Sequence, residues 1–143
     1  MILLDTNVLV YSVDGTSPRY ATCRGVVERA MAGSLDAVLV PQVLLEFYAV
    51  VTSPRRVSSP LTAADGMAQV DDWRHTIAIR YPTARCLDEL AALARRTKRA
   101  GQEVHDLFIA AQMRAHGIAD ICTVNAADFA GMTGIRPRAP ELV

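Results

Sequence analysis

The chain has 143 residues, 15 Lys or Arg against 15 Asp or Glu, a formal net charge of zero with its histidines neutral, and 51% hydrophobic residues. That balance excludes a polyelectrolyte that grips nucleic acid by bulk charge, and the apolar content excludes a disordered chain while sufficing for one substantial core. No apolar stretch approaches the roughly 18 residues that cross a bilayer, and the first, Met1–Leu4, is cut by Asp5, so neither a membrane span nor a signal peptide is expected.

In chain order, Met1–Leu4 reads as a buried strand. Ser17 and Pro18 form an N-cap and first helical position, followed at helical spacing by Val26, Val27, Ala30 and Met31 up to Gly33. Ala37–Val40 is a second strand, and Pro41 opens a helix running to about Thr52. Arg55–Ser59 is a polar connection. Thr62 caps a helix through Trp73, with Asp65 three residues on as a variant capping box. Ile77–Ile79 is a third strand, and Thr83–Arg99 a helix with Leu87, Leu90, Ala91 and Ala94 on one face. Glu103–His116 is a helix closed by Gly117, Ile121–Val124 a fourth strand, and the remainder holds a short turn and a last strand near Ile135. No linker or repeat divides the chain, so residues 1–143 are expected to form one domain. Cys23, Cys86 and Cys122 are odd in number and lack metal-ligand spacing, the pattern of reduced thiols in a cytoplasmic protein.

Strands separated by helices imply right-handed crossovers and a parallel sheet covered on both faces, with ligands beyond the carboxyl ends of the strands. Three or four acids stand at strand ends or on buried helix faces. Asp5 follows the first strand, where it serves either as a helix cap or as a site residue. Glu46 interrupts Val-Leu-Leu-Glu-Phe-Tyr-Ala-Val-Val, a helix otherwise apolar on every side and therefore read as buried. A buried carboxylate needs a partner or a cation, and no basic residue lies nearby upstream. Asp106 shares the stripe of Ile109, Ala110 and Met113 in the first turn of its helix, where the helix dipole alone could also account for it. Asn125 and Asp128 follow the fourth strand, as site residues or as the cap and solvent face of a short helix. Clustered carboxylates repel one another unless a cation intervenes, and hard oxygen donors select Mg2+ or Mn2+.

Asp5-Thr6-Asn7 after the first strand, Glu46 on an apolar helix, Glu103-Val104-His105-Asp106 opening an Ala-rich helix, and Thr123-Val124-Asn125-Ala126-Ala127-Asp128-Phe129 after the fourth strand occur here in order. Together they resemble the PIN-domain ribonucleases, and within them the VapC-like toxins of bacterial toxin–antitoxin pairs, over nearly the whole chain. The resemblance implies a three-layer α/β/α sandwich with a central parallel sheet. It implies a Mg2+-dependent (or Mn2+-dependent) endoribonuclease in which Asp5, Glu46 and Asp106 bind metal and Asp128 joins them as a catalytic acid. Either Asp128 or Asn125 fills the fourth position. Thr6, Asn7, Thr123 and Asn125 are then supporting groups that fix carboxylate rotamers. The implied chemistry is attack of metal-activated water on a phosphodiester, leaving 5′-phosphate and 3′-hydroxyl ends.

RNA contact is expected from Arg95, Arg96, Lys98 and Arg99 and, on a second patch, from Arg55 and Arg56, unless these are only a solvated helix end and loop. The resemblance also implies a cognate antitoxin and a homodimer. Phe47, Tyr48, Val51 and the segment Val57–Trp73 are candidates for that surface or for the core. An aspartate-nucleophile phosphatase fits poorly, because Asn7 stands where its general acid belongs and Lys98 is the only lysine. The alternative reading is a catalytically degenerate PIN-fold module that acts mainly through a protein partner.

Overall fold

The computed structural model describes residues 1–143. Five strands, β1 (Ile2–Leu4), β2 (Ala37–Leu39), β3 (Ala78–Ile79), β4 (Asp120–Cys122) and β5 (Arg136–Arg138), form one wholly parallel sheet in the order β3-β2-β1-β4-β5. The central strands are short and apolar on both faces, as a sheet covered by helices on either side requires: Leu3, Leu4, Leu39, Ile121 and Cys122 are all fully buried.

Six α-helices make the connections: α1 (Thr6–Val13), α2 (Tyr20–Met31), α3 (Pro41–Val51), α4 (Ala63–Thr76), α5 (Arg85–Thr97) and α6 (Val104–Ala115). From β1 the chain steps outward through α1–α2 to β2 and through α3–α4 to β3, then returns through α5–α6 to β4 on the other side of β1. Right-handed crossovers therefore place α1–α4 on one face and α5–α6 on the other. The strand order reverses between β1 and β4, and their carboxyl ends border the crevice where such sheets bind ligands.

Local chemistry accounts for several helix ends. Pro41 occupies the first turn of α3. Thr62 Oγ1 accepts from Asp65 N at 3.1 Å and donates to Asp65 Oδ2 at 2.7 Å, the anticipated capping exchange. Gly117, at φ 69°, closes α6 while Gly117 N and Ile118 N return to Arg114 O and Met113 O.

Several expectations are corrected. Helix α1 is absent from the pattern reading, because Thr-Asn-Val-Leu-Val-Tyr-Ser-Val is rich in residues that favour strands. Asp5 caps it, and burial of Val8 and Leu9 against α2 and α3 overrides the propensity. Helix α2 begins at Tyr20, after a turn in which Ser17 Oγ accepts from Arg19 N, so Ser17 is not its N-cap. On α5 the core side is Cys86 and Leu93 with Leu90 and Ala94 beside them, while Leu87 points to solvent, 65% exposed. Helix α3 is not buried all round: Leu45 is 69% exposed and Ala49 is open, so Glu46 lies at the margin of a one-sided helix.

Phe47 and Val51 belong to the core, as does Trp73, which meets Phe47 edge-on with ring centroids 4.5 Å apart; none of the three is available to a partner. This pair joins α3 to α4. Phe47→Ala should lower the unfolding free energy by about 3–5 kcal/mol in urea denaturation followed by the fluorescence of Trp73, the only tryptophan. A loss under about 1 kcal/mol would contradict the packing described.

Candidate active site

Asp5 lies just past β1, its backbone N–H still donating to Cys122 O across the sheet at 3.0 Å. Its side chain is buried, 5% exposed, and receives three hydrogen bonds of 2.7 Å: Thr6 N donates to Oδ1, and Asn7 Nδ2 and Thr123 Oγ1 donate to Oδ2. Asn7 Nδ2 also donates to Thr123 Oγ1 at 3.0 Å, and Asn7 Oδ1 accepts from Val124 N at 3.2 Å. Thr123 Oγ1 accepts in addition from Asn125 N. The three side chains of Asp5, Asn7 and Thr123 thus close a ring across the two strands that flank the switch point. Capping and site placement are not alternatives for Asp5, since one oxygen caps α1 while the other ties β1 to β4.

Glu46 enters from α3. Thr6 Oγ1 donates to its Oε2 at 2.9 Å and Gln42 Nε2 donates to its Oε1 at 2.8 Å, while His105 Nδ1 stands 3.7 Å from Oε1. No arginine reaches it. Asp106 comes from the first turn of α6, half-buried, with the Ile109, Ala110 and Met113 stripe beneath it in the core. Asp128 sits on a short 3-10 turn, Ala126–Phe129, anchored by buried Phe129.

The four carboxylates share one cleft of about 760 Å³ with a fifth, Asp14, and with Tyr11, Arg56, Gln102 and His105. Asp128 lines it and Asn125 does not. Asp5 and Asp106 are each pushed up to about 6. For Asp5 the cause is burial, offset in part by its hydrogen bonds and increased by the charges of Asp106 and Glu46. For Asp106 it is burial and then repulsion from Asp128 and Glu46, eased by Arg99 and His105. None of the ion pairs in the molecule involves Asp5, Asp106 or Asp128.

These acids offer only oxygen donors and none is ion-paired to an arginine or lysine, the chemistry that suits a hard divalent cation. In the arrangement described, no three acid, histidine or cysteine side chains converge on a single point as ligands.

Of the basic residues, Arg56 lines the cleft, and Arg55, Arg95, Arg96 and Lys98 are exposed outside it. Arg99 is occupied otherwise. Its guanidinium donates to the carbonyls of Asp128, Ala127 and Ala130, so it clamps the turn that carries Asp128 rather than presenting a free charge to a ligand. Gln42, one helical turn before Glu46, escaped notice in the sequence although i to i+4 spacing places the two side by side. Tyr11 was hidden with the unrecognised α1.

Two groups of comparisons complete the picture. The PIN domain family matches residues 2–132. Ribonuclease VapC48 of Mycobacterium tuberculosis is 30% identical over 95% of this chain and 94% of its own length, and Ribonuclease VapC24 of the same species is 27% identical over 90% and 89%. Among solved structures, VapBC2 from Rickettsia felis superimposes with a TM-score of 0.70 at 19% identity, covering 97% of this chain and 98% of that one. VapC20 of Mycobacterium tuberculosis, a Sarcin-Ricin loop cleaving toxin, does so at 0.66 with 19% identity, covering 96% and 100%.

Because the folded protein holds Asp106 protonated up to about pH 6 and an unfolded chain only to about 3.8, the folded state binds more protons in that window, and metal-free stability falls as pH rises through it. Asp106 accepts no hydrogen bond that Asn would lose. Asp106→Asn should thus stabilise the protein in EDTA at pH 8 by on the order of 1 kcal/mol, allowing for partial exposure, and the gain should vanish near pH 4. Thermal melts at the two pH values check this; a destabilised variant at pH 8 would contradict the repulsion.

Proposed function

The chain belongs to the PIN domain family, and on that premise we propose that it is a divalent-metal-dependent endoribonuclease, the toxin of a toxin–antitoxin pair. The observation that carries the reading is the cleft at the β1/β4 switch point, where Asp5, Glu46, Asp106 and Asp128 gather without a basic ion-pair partner other than the His105 imidazole beside Glu46. A structural ion-pair network would supply arginines to these acids. A site built for a cation would leave them open.

In this reading Asp5 and Asp106 hold Mg2+ or Mn2+ directly, and Glu46 and Asp128 complete the negative environment. When bound, such a cation lowers the pKa of water and offsets charge on the scissile phosphodiester. Asn7 and Thr123 keep the Asp5 carboxylate in one rotamer by occupying Oδ2, and Thr6 serves both acids, through its N–H to Asp5 and its hydroxyl to Glu46. Arg99 holds Asp128 in the cleft wall through the main chain of its turn. Arg56 lies where a backbone phosphate of RNA would enter, and Arg55, Arg95 and Arg96 extend positive charge outside the cleft.

The partners that follow are RNA, a cognate antitoxin and a second copy of the chain. No helix is long and apolar enough to cross a membrane. A module lacking catalysis gains no support from the acids, since their uncompensated charge is costly to maintain without a ligand.

Purified protein should cleave RNA in Mg2+ and not in EDTA, with fresh 5′-phosphates at the cuts. Asp5→Asn and Asp106→Asn should each reduce cleavage at least about a hundredfold, the equivalent of ~3 kcal/mol, while leaving the circular dichroism spectrum unchanged. Cleavage that survives both substitutions, or persists in EDTA, would overturn the proposal. RNA affinity should fall as salt rises, to a lesser degree after Arg56→Ala.

A further inference from the structure

Glu46 is reached from the protein interior by a chain of two glutamines. Gln112, on α6, is fully buried, and its Nε2 donates to Gln42 Oε1 at 2.9 Å and to Phe108 O at 3.3 Å. Its own Oε1 is buried without a partner, alone in the molecule in this respect. A buried amide oxygen left unpaired destabilises the fold, and an apolar side chain of like volume would remove it at the expense of the donation to Gln42 Oε1. A residue kept against such a penalty calls for a reason other than packing.

The hydrogen-bond directions supply one. Because Gln42 Oε1 accepts from Gln112, Gln42 presents its Nε2 forward, where it donates to Glu46 Oε1 at 2.8 Å and to His105 O at 2.9 Å. With the amide turned over, Gln42 would aim an oxygen at a carboxylate and a carbonyl at once. Turning Gln112 over instead would set its oxygen against Gln42 Oε1 and Phe108 O. Both of its amide hydrogens are committed, so its orientation is determined and its oxygen is the atom left over.

We propose that Gln112 is a positioning residue for the acidic cleft: it locks the Gln42 amide in the one orientation that donates to Glu46, and thereby fixes the Glu46 carboxylate between Gln42 and Thr6. It is not among the residues that line the cleft. The inference rests on Glu46 being one of the acids of the cation site proposed above.

Metal-free protein titrated with Mn2+ by calorimetry, alongside RNA cleavage and thermal melts, tests it on Gln112→Met, Gln42→Met and the double variant. Gln42→Met should weaken Mn2+ binding about tenfold and Gln112→Met by several-fold, each lowering kcat with KM for RNA unchanged. Gln112→Met should melt close to the wild-type temperature, since removal of the unpaired oxygen offsets loss of the donation to Gln42 Oε1. The double variant should be no weaker than Gln42→Met alone, because Gln112 acts only through Gln42. Wild-type Mn2+ affinity in Gln112→Met, or a double variant whose loss is the product of the two single losses, would overturn the relay. Gln112→Leu serves as a second replacement if the methionine variant folds poorly. Asp106→Asn, run in parallel, separates the levels: if it abolishes Mn2+ binding while Gln112→Met does not alter it, the site stands and the relay falls. If the wild type takes up no Mn2+, both fall.

Discussion

A carboxylate set at the end of a buried parallel strand is costly unless its lone pairs are occupied, and the site depends on how Asp5 meets that requirement. Its three hydrogen bonds come from the first turn of α1 and from the start of the segment after β4. The same bonds that keep the acid ionisable therefore also tie together the strands on either side of the switch point. Compensation remains incomplete: burial and the neighbouring acids still push Asp5 up to about 6. A positive charge arriving in the cleft would remove what the hydrogen bonds leave.

The other acids are arranged with decreasing restraint. Glu46 has a donor on each oxygen, one from α1 and one from its own helix. Asp106 has a firm backbone, because α6 is buried through Leu107, Ile109, Ala110, Ala111 and Met113, but its carboxyl has no protein donor. Asp128 is restrained through its main chain by the Arg99 guanidinium. This gradient is consistent with a cleft in which two acids are fixed by the protein and two remain free to respond to a ligand. It also explains how a chain of zero net charge can serve an anionic substrate, since five of its acids line one cleft and several of its arginines lie at or beyond the rim.

Much of the fold was legible because its strands are continuous apolar runs and its helices carry local stop signals. Pro41, the Thr62 and Asp65 pair, and Gly117 each do in the structure what their chemistry implies. Helix α1 was not legible, because β-branched residues mask a helix whose formation is decided by tertiary packing. The exposed side of α3 was misread for a related reason: an apolar sequence does not say which faces are covered, and Leu45 and Ala49 are not. Among the site residues the acids stood out because carboxylates are anomalous in apolar surroundings. Gln42 and Gln112 did not, since a neutral amide on a helix looks ordinary until its burial and hydrogen-bond directions are known. Arg99 shows the opposite error, in that a run of basic residues reads as one patch although one of its members has left the helix to bind three carbonyls.

The central claim is that the negative charge of Asp5 and Asp106 is incompletely compensated by the protein and that a divalent cation relieves it. Site-resolved NMR titration of the aspartate carboxyl carbons, with and without Mg2+, addresses it directly. In metal-free protein the two midpoints should lie near pH 6, well above the ordinary 3.8, and added Mg2+ should draw both downward. Midpoints near 3.8 that are indifferent to Mg2+ would contradict the account.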